Sequence, residues 1–402
     1  MRPFASTISL DEARRRLDAN VTPIARTERV RLEDAAGRVA AADLLSPLDV
    51  PPFARAAMDG YAVAAAEVAG AAPSTPARLR IVDRVFTGAL SAVTVASGTC
   101  AEIATGAPMP AGADAVVMVE ETRPGGDACV EILSSVAPGQ NVGRRAADIA
   151  AGDRVVTAGD VLTPSRVGAV AAIGVAALDV YARPRVAILS TGNEVVDPGQ
   201  PLGPGQIYDV NRFTLGAVVS AHGGVPDLRR AAEDTTDALL AALDDCADAD
   251  LIVFSGGSSV GARDLIVDAI AARGEMIFHG IGVRPGKPTA FARVRGTPFF
   301  GMPGNPTSCL SNAYILLVPF LRAIARLPPH APRKVRAPLG RRIASAVNRH
   351  QFYTVRLRDG VAYPAFKGSG DITSLSQADG YIEIPADTSV VEEGAEVDVT
   401  LF

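Results

Sequence analysis

The chain has 402 residues, 48% of them hydrophobic, and a formal net charge of −5. This length predicts two to four domains, and the hydrophobic content excludes a globally disordered chain. The negative charge, the lack of tryptophan and the low aromatic content argue against nucleic acid as the main partner.

Targeting signals and metal-binding patterns are not evident in the sequence. The longest apolar stretch, Val167–Leu178, is shorter than the ~20 residues of a membrane span. The basic residues 14–16 are not followed by an apolar segment, unlike those of a signal peptide. The four cysteines form no CxxC pair and the four histidines are dispersed. We therefore expect a reduced, cytoplasmic protein without membrane association, disulfide or zinc.

The first 45 residues are predicted to be helical. Ser9 and Glu12 form a capping box at the start of one helix, and the run 32–44 fits a second. From residue 46 to 141, short β-like runs broken by Gly and Pro predict a β-rich second domain. Residues 142–180 contain another helix-like run and are predicted to rejoin residues 1–45 in a discontinuous, helical N-terminal domain.

Residues 181–327 are predicted to form a central α/β domain, and residues 328–402 a small C-terminal β domain. Three apolar runs in the central part end in Gly, Ser or Thr and lead into helix patterns, which is typical of buried parallel strands. The predicted fold is multidomain α/β plus β, with a doubly wound central domain. Because ligands of such sheets bind beyond the carboxyl ends of the strands, we expect the active site there.

The loops after the first two central strands favour an anionic ligand. Thr191, Gly192 and Glu194 follow the first strand. The second is followed by Ser255, Gly256, Gly257, Ser258 and Ser259. Backbone N–H groups between a strand and a helix start bind phosphate-like anions, although such a loop could also be ordinary turn chemistry. The Walker and GxGxxG motifs are absent, so neither a nucleoside triphosphate nor an NAD site is supported.

Two cations lie on a proline-rich loop between the second and third strands. Arg284 and Lys287 could be solvated surface charges, but Pro285 and Pro288 limit the entropy lost on ordering them. Two cations held rigidly near an anion-binding edge suggest oxyanion recognition. After the third strand, Asn305 is predicted as an N-cap, with Pro306 at the first helical position.

Several carboxylates have both a structural and a functional interpretation. Glu194, Asp209 and Asp264 could be caps or surface charges, or they could hold Mg²⁺ through water and phosphate oxygens. Asp59, before Gly60, fits an ordinary turn. A basic run in the C-terminal domain most simply forms a solvated or edge-protecting face. Its members are Arg333, Lys334, Arg336, Arg341 and Arg342.

Taken in order, the motifs of the chain resemble those of the MoeA family of molybdopterin molybdenumtransferases, which includes the E domain of gephyrin. The resemblance covers essentially the whole chain. The matching stretches are AMDGYAV, IATGAPMPAGADAVVM, STGNEVV, GQIYDVNRF, FSGGSSVGARD, RPGKP, GMPGNPTS and GSGDITSLSQADGYIEIP. Any one of them is a weak signal, but the ordered set is highly specific.

This resemblance implies four domains, a molybdopterin-binding central domain and an elongated homodimer. It implies that adenylylated molybdopterin binds in a cleft, that molybdate is inserted at its dithiolene, and that AMP leaves in an Mg²⁺-dependent step. The molybdopterin adenylyltransferase is a further expected partner. In the family, the second domain of one subunit faces the central and C-terminal domains of the other.

The resemblance also assigns site residues. Family functional positions match Asp59, Thr105, Asp148, Glu194, Asp264, Lys287, Pro288, Pro303, Pro306, Ser259, Ser308, Ser369 and Arg349. Together with the loops, this implies catalytic roles for Asp59, Glu194, Asp264 and Lys287, with Glu194 and Asp264 on Mg²⁺. The phosphates and pterin are expected on the first two loops, and molybdate near Arg284, Lys287 and the hydroxyls.

The sequence departs from the family pattern at Arg55, Ala57, Ala147 and Arg284. The last keeps a positive charge but offers a planar fork instead of an ammonium group. Two alternatives stay open alongside the transferase. One is a scaffold that binds molybdopterin without catalysis, and the other is a related adenylyltransferase or pyrophosphatase.

Overall fold

The computed structural model describes residues 7–229, 235–256, 260–345 and 348–402, without the side chains of residues 260–265. The chain forms two compact units. The first unit is Met1–Glu28 with Tyr181–Phe402, and the second is Arg29–Val180.

The N-terminal helix α1 (Leu10–Asp18) begins as predicted, since the Ser9 hydroxyl accepts a hydrogen bond of 3.2 Å from the Glu12 N–H. Its buried face of Leu10, Ala13 and Leu17 packs into the core of the first unit. The sequence predicts that this helix joins the other residues up to 45 in one domain. It belongs instead with the central α/β part, because its apolar face is buried there.

The second unit is mostly β structure. Its strands, with the first and last at its boundary, are β1 (Thr27–Arg31), β2 (Leu44–Leu45), β3 (Arg55–Ala56), β4 (Gly60–Val63), β5 (Ala77–Val85), β6 (Thr99–Ile103), β7 (Ala115–Met118), β8 (Thr122–Gly126), β9 (Cys129–Ile132), β10 (Val142–Gly143), β11 (Arg154–Val156) and β12 (Ala177–Tyr181). Helix α2 (Pro164–Ala172) precedes the last strand. Six strands form one sheet in the order β7-β4-β6-β5-β9-β8.

Two predictions within this unit are wrong. The run 32–44 forms only a 3-10 turn, Leu32–Asp34, instead of a helix. Gly37 then takes a left-handed φ of 74°, and Val39 and Ala40 form extended bridges with Val161 and Val180. Residues 92–98, which are one of the short β-like runs on which the β-rich domain was predicted, form no strand.

The central part of the first unit alternates strands and helices. Its elements are β13 (Arg185–Ser190), β14 (Val195–Val196), β15 (Ile207–Tyr208), α3 (Asn211–Ala221), β16 (Val225–Leu228), α4 (Thr236–Asp244), β17 (Leu251–Ser255), α5 (Val260–Arg273), β18 (Gly274–His279), β19 (Val283–Arg284), β20 (Ala290–Val294), β21 (Thr297–Met302), α6 (Pro306–Asn312) and α7 (Val318–Ile324). A π-helical segment, Ala313–Leu317, joins the last two helices.

The central sheet has the strand order β16-β13-β17-β21-β20-β18. The three predicted strands β13, β17 and β21 are adjacent and parallel, which confirms the sequence analysis. Along β13, Val186 and Ile188 face one apolar cluster, whereas Ala187 and Leu189 face another. The sheet is therefore covered on both faces, and the loops after its parallel strands share one edge.

The C-terminal part is a small β structure, as predicted. Its elements are β22 (Lys334–Pro338), β23 (Ile343–Ala344), β24 (His350–Arg358), β25 (Val361–Pro364), α8 (Thr373–Ser376), β26 (Gly380–Ile384), β27 (Val390–Val391) and β28 (Glu396–Leu401). The main sheet runs β19-β24-β26-β28-β22, so its first strand comes from the central part.

One helical run in the described residues, Pro306–Ile324, is long and apolar enough to cross a membrane by length and composition. However, 72% of its apolar window is buried inside the protein. Its residues Cys309, Ala313, Leu317 and Leu321 belong to the main core cluster. The run is therefore accounted for as a core helix, which begins at Pro306 as the sequence predicts.

Candidate functional site

A cavity of about 530 Å³ lies at the carboxyl edge of the central sheet. It is built by the loop after β19, the loop between β21 and α6, and a loop of the C-terminal part. The sequence-predicted residues that line it are Gly256, Arg284, Lys287, Pro288, Pro303, Asn305, Ser308, Arg349 and Ser369. Lys367 lines it as well, and no Asp or Glu is among its described lining residues. We call it the cation cavity.

A buried asparagine forms hydrogen bonds to the loop that carries Arg284 and Lys287. Nδ2 of Asn312, on α6, donates to the Gly286 carbonyl oxygen at 2.8 Å and to the Thr289 hydroxyl at 2.5 Å. Gly286 has a φ of 102°, and a Cβ there would lie 2.2 Å from that same Nδ2. Only glycine therefore allows this close approach of the loop to Asn312.

A second cavity, of about 550 Å³, lies beside the first. Its lining includes Thr191, Glu194, Ser255, Pro306 and Asp209. We call it the acid cavity.

The Glu194 carboxylate lies back over its own loop. A Cβ on Gly192 would fall 2.7 Å from Glu194 Oε2, and Gly192 has a φ of 138°. The Glu194 carbonyl oxygen accepts a hydrogen bond from the Ile207 N–H at 2.8 Å, which ties the loop to β15. The glycine thus makes room for the carboxylate at the cavity wall, and this gives the STGNE pattern a physical reason.

The two cavities share Gly256, Gly304 and Asn305 in their walls. Asn211 holds this junction together. Its Nδ2 donates to the Ser255 hydroxyl at 2.8 Å and to the Gly304 carbonyl oxygen at 2.7 Å. The ends of β17 and β21 are therefore linked by one side chain, and the two cavities form adjoining parts of one cleft.

Asp209 has a structural role at the base of the acid cavity. The carboxylate accepts a hydrogen bond of 2.6 Å from the Ser190 hydroxyl and pairs with Arg212 at 3.2 Å. Both side chains are nearly fully buried, and Arg212 also pairs with Asp197. Because its charge is already balanced, Asp209 fits a positioning role better than the metal-ligand role weighed in the sequence analysis.

Asn305 is the N-cap residue of α6 by position, but its side chain does not cap the helix. Its Nδ2 donates instead to the Ser369 hydroxyl at 3.0 Å. The neighbouring Thr307 donates its hydroxyl to the Asp371 carbonyl oxygen at 2.6 Å and its N–H to the Ser369 carbonyl oxygen at 3.1 Å. The side chain predicted to cap the helix therefore binds the C-terminal part instead, and this hydrogen bond holds Ser369 at the cleft.

In the second unit, Asp59 and Thr105 meet. Asp59 Oδ1 accepts hydrogen bonds from the Thr105 N–H at 2.7 Å and from the Thr105 hydroxyl at 2.9 Å. These bonds lower the pKa of the Asp59 carboxyl, the backbone bond contributing most. A Cβ on Gly60 would lie 1.9 Å from the Val117 carbonyl oxygen, so glycine is required after Asp59. Asp148 is exposed in the same unit.

Gly257, Ser259 and the side chain of Asp264 lie outside the described residues, although the backbone of Asp264 is part of α5. Among the described residues, no group of three or more His, Cys, Asp or Glu side chains forms a metal-binding cluster. Glu194 and Asp209 are the acids among the described residues that line the acid cavity.

Three residues at the cleft were missed by the sequence analysis: Asn211, Asn312 and Lys367. The first two lie on helices, where an asparagine carries no distinct local signal. Their partners are 23 to 93 residues away in the chain. Lys367 directly precedes the GSGD stretch, and that position is the one signal that could have drawn attention to it.

Three family models match successive parts of the chain. The MoeA N-terminal region (domain I and II) matches residues 8–174, the "Probable molybdopterin binding domain" matches residues 187–323, and the MoeA C-terminal region (domain IV) matches residues 336–402. These matches follow the order in which the motifs occur in the sequence.

Relatives of known name match over almost their full length. The chain is 38% identical to molybdopterin molybdenumtransferase 2 of Mycobacterium tuberculosis, over 92% of this chain and 94% of that one. It is 31% identical to the molybdopterin molybdenumtransferase of Haemophilus influenzae, over 98% of both chains.

Solved structures agree with this assignment. A molybdopterin biosynthesis MoeA protein from Pyrococcus horikoshii matches with a TM-score of 0.85 and 37% identity, over 98% of this chain and 99% of that one. A second MoeA structure from that organism matches with a TM-score of 0.82 and 29% identity, over 99% and 100% of the two chains. From the fold, the ordered motifs and these relatives together, the chain belongs to the MoeA family of molybdenum cofactor biosynthesis proteins.

Proposed function

We propose that this chain is a molybdopterin molybdenumtransferase that inserts molybdate into adenylylated molybdopterin and releases AMP in an Mg²⁺-dependent step. The observation that carries the proposal is the junction of two chemically different cavities at Gly256, Gly304 and Asn305. One wall presents cations for an oxyanion, and the other presents hydroxyls and a carboxylate for a phosphorylated ligand. A reaction between these two ligands needs this adjacency.

The cation cavity suits molybdate, a tetrahedral dianion. Lys287, Arg284 and Arg349 supply positive charge, while the hydroxyls of Ser308 and Ser369 are hydrogen-bond donors. Because Asn312 fixes the loop of Lys287 before any ligand binds, little entropy is lost on ordering the cations. In this proposal Lys287 and Arg284 hold the oxyanion close to the substrate's reacting sulfur atoms.

The acid cavity suits the phosphorylated end of adenylylated molybdopterin. Thr191 and Ser255 end adjacent parallel strands, where ligands of such sheets bind. Mg²⁺ commonly keeps several waters and takes one or two carboxylates together with substrate phosphates. Glu194 fits that donor set, and Asp264 is proposed as the second acid. When bound, the ion would polarise the phosphoryl group and neutralise charge on the leaving AMP.

The oligomeric state, the cellular location and the partner enzyme are also proposals. A homodimer would bring Asp59 and Thr105 of one chain to the cleft of another, and this would give the exposed Asp59 carboxylate a role beyond its turn. We further propose a cytoplasmic location, with the molybdopterin adenylyltransferase as the partner that supplies the adenylylated substrate.

The two rival functions are less well supported. A non-catalytic scaffold would need the acid cavity to bind the pterin substrate, but it would not need a rigid cationic loop beside that cavity. An adenylyltransferase of the related fold would need only the central domain, whereas this chain covers 94% of the length of the M. tuberculosis molybdopterin molybdenumtransferase 2. The cation cavity suits an oxyanion and the adjoining acid cavity suits a phosphoryl group, and this combination favours the transferase.

The test is release of AMP from purified protein mixed with adenylylated molybdopterin, molybdate and Mg²⁺. AMP release should require all three, and an Asp264→Asn variant should keep its fold while cleaving the adenylate much more slowly. Tight binding of adenylylated molybdopterin without AMP release would favour the scaffold. Wild-type turnover by Asp264→Asn at ordinary Mg²⁺ would remove that residue from the mechanism.

A further inference from the structure

A third cavity, of about 610 Å³, lies on the C-terminal β structure. Five cations line it: Arg341, Arg342, Arg356, Arg358 and Lys367. Tyr353, Tyr363 and Phe366 supply the aromatic part of its wall, and no Asp or Glu is among its described lining residues. We call it the basic groove. Arg341 and Arg342 belong to the basic run for which the sequence predicts a solvated or edge-protecting face.

The cations of the basic groove are not equally engaged. Arg356 is held in place by Gln377, whose carbonyl oxygen lies 2.7 Å from its Nε, and Arg342 faces the exposed Glu392 at 3.3 Å. Arg341 and Arg358 are exposed, and neither has an ion-pair partner within the part of the chain that the structure describes. Their charges are therefore directed at solvent.

The basic groove and the cation cavity adjoin each other. Phe366 and Lys367 line both. Strand β19 carries Arg284 of the cation cavity and pairs with β24, where Arg284 is opposite Gln351. Strand β24 ends at Arg358 in the basic groove. At the usual rise per residue, Arg358 lies about 23 Å along the strand from Gln351. Burial raises the pKa of Tyr353 on β24, and the positive charges of Arg341 and Arg284 both oppose that rise.

The overall charge of the protein makes this arrangement significant. With a net charge of −5, the chain repels a dianion at long range, so encounter with the cleft depends on local potential. A concave surface lined by one sign of charge raises the local concentration of the opposite ion and increases association rates.

We propose that the basic groove collects the molybdate dianion from solution and directs it to the cation cavity past Phe366 and Lys367. This inference rests on the proposed function, because it assumes that an oxyanion is the ligand of that cavity. In it, Arg341 and Arg358 accelerate encounter without contacting molybdate in its final position.

The test is the rate of molybdate association, measured by stopped-flow tyrosine fluorescence, since the chain has no tryptophan. The variant is Arg341→Gln with Arg358→Gln. The matched control is Arg333→Gln with Arg336→Gln, which removes the same charge from exposed positions of the same domain outside the groove. At about 0.01 M salt the screening length is roughly 30 Å, longer than the ~23 Å from Gln351 to Arg358 along β24.

We expect association by the groove variant to be roughly 3- to 10-fold slower than wild type in low salt. The control should lose far less, and the difference should disappear near 1 M salt, where the screening length is about 3 Å. Equal slowing by the control, persistence in high salt, or no slowing would each overturn the proposal. No slowing is also the result expected if the arginines serve an acidic partner protein.

This measurement separates the groove from the proposed function. Salt-dependent association without AMP release would support steering and contradict the transferase. Normal AMP release with unchanged association rates would contradict only the groove.

Discussion

At the scale of single residues, Lys287 is the cation on which the oxyanion assignment depends most. Lys287→Ala should raise the apparent molybdate requirement of AMP release by roughly 10- to 100-fold, since a charge-assisted contact contributes about 1.5–3 kcal/mol. Affinity for adenylylated molybdopterin should change little, because Lys287 does not line the acid cavity. Both quantities can be measured on one preparation, by titrating molybdate and by equilibrium binding of the pterin.

The matched control for that change is Lys334→Ala. Lys334 is exposed on the edge strand β22, so its removal changes net charge equally but away from the cleft. A fall in pterin affinity in Lys287→Ala, with molybdate dependence unchanged, would mean that the loop serves the other ligand.

At the scale of elements, helix α6 positions the cationic loop through Asn312. Asn312→Ala removes the donor to the Gly286 carbonyl oxygen and the Thr289 hydroxyl, which are both in the protein interior. The free energy of unfolding should fall by about 1–3 kcal/mol, and the molybdate requirement should rise as it does for Lys287→Ala. Urea denaturation and molybdate titration measure the two effects.

Ser311→Ala is the control for this prediction, because Ser311 is the buried neighbour on the same helix and forms no hydrogen bond to the loop among the described residues. If Asn312→Ala lost stability but kept a wild-type molybdate requirement, the loop would hold its shape without the helix.

The sequence predicted elements well where burial alone determines them. Strands β13, β17 and β21 were predicted because both faces of each are covered, so their apolar runs are continuous. The run 32–44 was mistaken for a helix because its alanines carry helical propensity. Gly37 and the bridges of Val39 and Ala40 override that propensity through contacts more than 100 residues away in sequence.

The candidate site was only partly predictable, for a related reason. Its loops carry glycines and prolines at the ends of strands, and these give local signals. The asparagines that hold the loops together give none, since their role depends on which carbonyl oxygen the fold brings within 3 Å. Asn305 shows the same limit, because its position at a helix start predicted a cap, whereas its side chain reaches Ser369.

At the scale of the whole molecule, the proposed homodimer makes a prediction about shared sites. If each cleft takes Asp59 from one chain and Glu194 from the other, a mixed dimer of Asp59→Asn and Glu194→Gln has one doubly damaged and one intact cleft. Random exchange of equal amounts gives half mixed dimers, so roughly a quarter of wild-type activity should return. AMP release before and after subunit exchange measures this recovery.

Each variant alone should be nearly inactive, which is the baseline for the mixing experiment. Lack of recovery after demonstrated exchange would mean that both carboxylates serve the cleft of their own chain, or that Asp59 is only a turn residue.

Strand β19 belongs to the central part but completes the sheet of the C-terminal part. The C-terminal part alone would therefore lack one edge strand. The C-terminal sheet takes its first strand from residues 283 and 284, which pair with His350 and Gln351 at the start of β24. A fragment beginning at Lys334 would leave this edge of β24 open, and Gln351 would lose its cover. Unprotected strand edges template intermolecular pairing. The isolated C-terminal domain is therefore expected to self-associate more than the same domain supplied with a peptide that carries Val283–Arg284.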